Sequence, residues 1–284
     1  MAAVLALLAA TSFAFGTVLQ QRGTLSVSAG ADDPRFLLQI LRARTWLAGA
    51  ALQAVGWILQ AAALDRGSLI VVQALTTLSL VIALPIGARL TNQRITRAHV
   101  TAAFAVVAGI VAFLAVGKPA GGGSTPSAAE WWSAGVTAAL AIIVVAAVGR
   151  RRHGPTRAAL LGGAAGISYA LQAGVTKVFV GELGHGVSAL LHTWSTYVLI
   201  VSALVGFVLQ QSALKTGALA PAMAASNAAT LIGSVAFGIL VFDEHLERGG
   251  GRVTVAAAAL AVAVAGVVAL SRLDSARDPA LARE

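Results

Sequence analysis

Nine stretches of this chain are apolar and long enough, or nearly so, to cross a lipid bilayer as helices, and that limits its fold more than any other feature. They lie at roughly 2–21, 46–64, 69–88, 98–116, 131–149, 157–179, 188–213, 219–241 and 253–271. A bilayer core needs about 20 helical residues to cross. Strands are a poor alternative, because an open sheet edge has no hydrogen-bond partner in lipid and barrel strands alternate polar with apolar residues. Hydrophobic residues make up 58% of the 284 positions and charged residues only 11%, whereas a soluble domain carries about 25% charged residues. The sequence therefore predicts an all-α integral membrane protein. The first stretch lacks a basic leading region and a small-x-small cleavage site, so it reads as a span and not as a signal peptide.

The basic residues orient the spans. The connections 21–45, 89–97, 150–157 and 214–218, with the tail beyond 271, hold 15 of the 20 Lys and Arg. The other face holds Arg66, Lys118, Lys177, Arg248 and Arg252. Cytoplasmic loops carry the excess of Lys and Arg, which predicts an external N-terminus and a cytoplasmic C-terminus. The net charge of +9 is thus topology and attraction to anionic lipid headgroups, with no nucleic-acid partner implied. Arg outnumbers Lys 17 to 3, and with abundant Ala this suggests a GC-rich bacterial source and hence the bacterial cytoplasmic membrane.

An internal echo divides the chain. Leu59-Gln-Ala-Ala-Ala-Leu-Asp-Arg-Gly-Ser-Leu69 returns as Leu209-Gln-Gln-Ser-Ala-Leu-Lys-Thr-Gly-Ala-Leu219, identical at six of eleven positions. At the same offset Gly56 aligns with Gly206 and Thr76 with Ser226; upstream, Ser12-Phe13-Ala14 matches Ser168-Tyr169-Ala170. The expected organisation is a first repeat at 1–116 with four spans, a Gly/Ser/Pro-rich linker at 117–130, and a connecting span with a basic turn at 131–156. A second repeat of four spans follows at 157–271, then a tail at 272–284. The connecting span makes the crossing number odd, so the two repeats run in opposite directions, the usual build of secondary transporters. Residues 33–44, with Asp33 as cap, Pro34 in the first turn and Phe36, Leu37, Ile40 and Leu41 on one face, predict an amphipathic helix on the cytoplasmic surface.

Chemistry within the spans is neutral. All eleven Asp and Glu fall in loops, at span ends or in the tail, which argues against coupling through a membrane-embedded carboxylate. The spans carry Gln and Asn amides and Ser and Thr hydroxyls. Such groups form interhelical hydrogen bonds worth about 0.6 kcal/mol each, and Ser and Thr also bond their own helix backbone. Equivalent positions in opposed repeats converge near the pseudo-two-fold axis when they face inward. That singles out Gln60 with Gln210 and Thr76 with Ser226, and with the span amides Gln73, Gln172 and Asn227 these are the substrate-binding candidates. Trp57, deep in its span, packs or lines the pathway, while Trp46, Trp131, Trp132 and Trp194 form the aromatic belt.

Two residues are candidate gates. Lys177, at the outer end of its span, reads either as a snorkelling lysine or as an anion-attracting gate. Pro85 can kink its helix and free a carbonyl. Gly162 and Gly166 predict close helix packing. His185 and His192 read as interfacial, and Asp243-Glu244-His245 as a solvated outer loop. No phosphate-binding loop, paired-His zinc motif or Gly-x-Ser-x-Gly elbow occurs, and there is no cysteine. The expectation is a protein that is not an enzyme, with no cofactor and no metal site.

Several stretches carry a family likeness: Ala10-Thr-Ser-Phe-Ala-Phe-Gly16 followed by Arg22-Gly23, the span from Trp46 through Gly56 to Ala61-Ala-Ala-Leu64, and the Gln73–Gln93 and Met223–Glu244 segments. In these the chain resembles the drug/metabolite transporter superfamily (EamA-like proteins), and within it the nine-span NIPA branch of magnesium transporters. The resemblance implies about nine transmembrane helices in two inverted repeats. The chain departs from that branch where Gly56-Trp57 replaces a Gly-Glu pair, Gln60 an Asn, and Asn92-Gln93 a Lys-Glu pair; Asp243-Glu244 keeps the acidic turn. Magnesium wants one or two carboxylates among its ligands, so the expected cargo is a small neutral or zwitterionic metabolite. The alternatives are a divalent cation transporter and a non-transporting scaffold or lipid-interacting protein. Membrane lipids are the expected environment, and a homo-oligomer is compatible with the sequence.

Overall fold

The computed structural model describes residues 1–25, 42–90, 95–121, 126–182, 192–214, 216, 219–247 and 249–275. Ten helices account for most of them: α1 (Ala2–Leu25), α2 (Arg44–Arg66), α3 (Leu69–Thr76), α4 (Ser79–Leu90), α5 (Arg97–Gly117), α6 (Ala128–Arg150), α7 (Gly154–Glu182), α8 (Trp194–Leu214), α9 (Leu219–Val241) and α10 (Arg252–Ser275). Among the described residues the only extended pairing is an isolated bridge between Ala120 and His245. Eight spans are long and apolar enough to cross a membrane, counting α3 and α4 as one, and α8 contributes a shorter apolar stretch, Trp194–Gln210. The protein is all-α and multi-pass. Most of the amphipathic helix expected at 33–44 lies outside the described residues; its last residue, Arg44, opens α2.

The third span departs from expectation by breaking in two. Thr76 and Thr77 hydroxyls both donate to the Gln73 carbonyl, at 3.1 and 2.8 Å. Leu78 N then bonds Leu75 O, and Leu80 N bonds Thr77 O, both three residues back. Adjacent hydroxyls crowding one carbonyl divert the backbone ladder into a tighter turn. Pro85, inside α4 and exposed, supplies no N–H of its own.

Small residues set the packing. A methyl in place of the Gly162 hydrogen would sit 2.2 Å from the Ala222 carbonyl oxygen, and at Gly166 it would sit 2.3 Å from that of Ser226. The backbones of α7 and α9 therefore touch along the Gly162–Gly166 face, as the sequence predicts. Gly16 and Gly49 do the same for α1 and α2. The Phe13 ring lies over Gly56, and the Tyr169 ring lies over Gly206. Helix α7 is central: it packs on α2, α3, α6, α8 and α9, and 67% of its apolar window is buried.

Contacts define two ends. At one, Ala2 meets Gly67, Gly117 meets Leu246, and Trp131 packs against Trp194 and Phe242. At the other, Gly23 meets Trp46, Gly149 meets Leu160, and Gly266 meets Ala102. Met1 belongs to the first end and Ser275 to the second. Arg22, Arg42, Arg44, Arg89, Arg97, Arg150, Arg151, Arg152, Arg157 and Arg272 gather at the second end, leaving Arg66, Lys118, Lys177 and Arg252 at the first among the described residues.

Candidate functional site

The turn after α9 corrects the reading of Asp243-Glu244-His245 as a solvated loop. Asp243 adopts a left-handed conformation (φ 51°), which Asp tolerates better than most residues. That turns the chain back, with Glu244 N donating to Gly238 O at 2.9 Å. Asp243 and His245 stay exposed, but the Glu244 side chain is wholly buried. Gly238 makes room for it, since a methyl there would lie 2.8 Å from Glu244 Oε2.

Every lone-pair direction of that carboxylate meets a donor. Oε1 accepts from Leu69 N (2.5 Å) and Lys177 Nζ (2.9 Å), and Oε2 accepts from Ser68 Oγ (2.7 Å) and Ile70 N (2.9 Å). Ser68 is the N-cap of α3, its Oγ also accepting from Val71 N at 3.3 Å. The carboxylate thus rests on the positive end of a half-helix. Lys177 is 11% exposed and sits 4.8 Å from the centre of the Phe242 ring. Its alternative reading as a snorkelling lysine fails on this pairing. Glu244 lies just past a span end, as the sequence places it, but it is buried and paired instead of solvated.

Farther along the bundle the expected amides are buried. Gln60, Gln73, Thr76, Gln172, Gln210 and Ser226 are all in the interior, and Asn227 is half-buried. Gln210 Nε2 donates to Met223 Sδ at 3.2 Å, and Thr76 Oγ1 lies 3.3 Å from Gln73 Oε1. Three amide atoms, Gln73 Nε2, Gln172 Oε1 and Gln210 Oε1, are buried without a hydrogen-bond partner. Such an atom costs about 1–3 kcal/mol. Along the chain's path Gln73 stands toward the first end, Gln172 in the body of α7 and Gln210 toward the second end.

Trp57 does not join them. It is 41% exposed beside exposed Val55 and Ile58, its ring edge-on to Phe13 at 6.1 Å. Helical phase explains this, because Gly56 faces α1 and its neighbour points outward. Of the belt residues, Trp132 is exposed, whereas Trp131 is buried against Trp194 and Phe242. His185 lies outside the described residues, and His192 is exposed.

Surface depressions, apart from the buried amides, lie at both ends. A cavity of about 620 Å³ is lined by Lys118, Ala120, Asp243, His245, Leu246 and Glu247. There Lys118, 3.2 Å from Glu247, holds that carboxyl below the usual carboxylate range. A second cavity, of about 220 Å³, lies at the basic end between His153, Gly154, Arg157, Ser212 and Thr216.

The chain is 28% identical over 277 residues to an uncharacterized protein of Corynebacterium glutamicum, an alignment that covers 97% of this chain and 96% of that one. No protein-family profile and no solved structure matches the chain.

Proposed function

We propose that the protein is a secondary transporter that moves a small neutral or zwitterionic metabolite across the bacterial cytoplasmic membrane by alternating access. The observation that carries this reading is the set of unpartnered amide atoms on Gln73, Gln172 and Gln210, each in a side chain at least nine-tenths buried. A scaffold gains nothing from unmet donors and acceptors in its interior, whereas a carrier keeps them for its cargo.

The likeness between the halves supports an inverted-repeat arrangement. The aligned pairs Phe13/Tyr169 and Gly56/Gly206 make the same ring-over-glycine contact, one between α1 and α2, the other between α7 and α8. The gathering of arginines at one end supports a cytoplasmic C-terminus and an external N-terminus, which makes the first end the outer one. A magnesium reading gains little, since the one wholly buried carboxylate among the described residues is already filled by donors.

A thermal-shift screen of the purified protein over amino acids, amines, nucleosides and divalent ions tests the reading. A neutral or zwitterionic solute that raises the melting temperature in the native protein but not in Gln172→Leu supports it. Stabilisation by divalent ions alone contradicts it.

A further inference from the structure

The donors around Glu244 come from α2–α3 and α7, while the carboxylate comes from the turn after α9, 67 or more residues distant from each of them. That turn does not need the carboxylate to keep its shape. Glu244 N bonds Gly238 O, Ala120 and His245 exchange backbone bonds at 3.0 and 2.8 Å, and Glu247 N bonds Gly117 O at 2.7 Å. Release of the carboxylate therefore need not undo the backbone bonds of that turn. What remains is a set of four donors: one hydroxyl, two amides of a helix N-terminus and one ammonium, matched to the two oxygens of a carboxylate.

A cationic cradle this deeply buried does not stay empty without cost, so whatever replaces Glu244 must bring an anion. A further donor lies on the same half-helix. Gln73 stands one turn along α3, its Cβ tilted toward the helix N-terminus, and its Nε2 is an unused donor.

We propose that Ser68, the Leu69 and Ile70 amides and Lys177 form a carboxylate-binding site, filled by Glu244 while the outer end is closed and by the carboxylate of the cargo when it opens. This rests on the transporter reading and narrows the cargo to a small zwitterion bearing a carboxylate.

The chain has no cysteine, so one introduced thiol reports opening cleanly. Ala173→Cys places it on α7, one turn from Lys177, at a buried position. In proteoliposomes, labelling by a membrane-impermeant maleimide is measured with L-amino acids, their carboxamides and uncharged polyols. The expected result is faster labelling with one or more amino acids and none with the matching carboxamides. Added Glu244→Gln speeds labelling without solute. Carboxamides or polyols acting as well as the acids, or Glu244→Gln labelling no faster than the parent without solute, overturn the carboxylate site and leave the transporter reading standing. No response to any solute, with no uptake of any of them by the unmodified chain, overturns both.

Discussion

Lys177 Nζ lies 2.9 Å from Glu244 Oε1, with the two side chains 11% and 0% exposed. Removing one partner leaves the other charge buried alone, at a cost of about 3–5 kcal/mol. Lys177→Met and Glu244→Gln should each lower the melting temperature in detergent sharply. The double substitution should melt well above Lys177→Met, because no lone charge remains. Strictly additive losses would show that the pair is not coupled.

The α7–α9 seam admits no side chain at two positions. Gly162→Ala and Gly166→Ala drive a methyl against the backbone oxygens of Ala222 and Ser226, which overpacks the seam by about 1–3 kcal/mol. Gly135 on α6 has nothing near its missing methyl. Gly135→Ala should be neutral or slightly stabilising, as expected of a helix interior. Thermal unfolding of the three variants side by side measures the contrast.

The ring-over-glycine contacts predict paired behaviour. A methyl at Gly56 would approach Phe13 to 2.5 Å, and one at Gly206 would approach Tyr169 to 2.6 Å. Gly56→Ala and Gly206→Ala should lower stability by similar amounts, about 1–3 kcal/mol each, and both should slow uptake. A large effect from one and none from the other would break the equivalence of the halves.

Gln172 separates binding from stability. Its Oε1 has no partner, so replacing the amide with Leu removes an unmet polar atom, worth about 1–3 kcal/mol. Gln172→Leu should melt at or above the native temperature while losing the thermal response to solute. A lower melting temperature with the solute response intact would show that the amide is structural.

Much of the fold was legible in the chain because the signals are local or repetitive. Apolar runs mark the spans, the Gly162–Gly166 spacing marks the α7 face, and the echo at Leu59 and Leu209 points to the amides. Glu244 was not legible. It follows an apolar run inside an acidic turn, and its partners stand 67 to 176 residues away. The one available hint was Lys177, a cation at a span end on the face poor in them. The break at Thr76–Thr77 escaped for another reason. The apolar run 69–88 is unbroken, and the break lies where two adjacent hydroxyls converge on one backbone carbonyl, which hydropathy does not register.

Solute movement through the bundle is measured by uptake into proteoliposomes holding the purified chain, with the solutes that stabilise it. Saturable uptake is expected, lost in Gln172→Leu and absent from protein-free vesicles. Uptake no greater than in empty vesicles for every stabilising solute would contradict it.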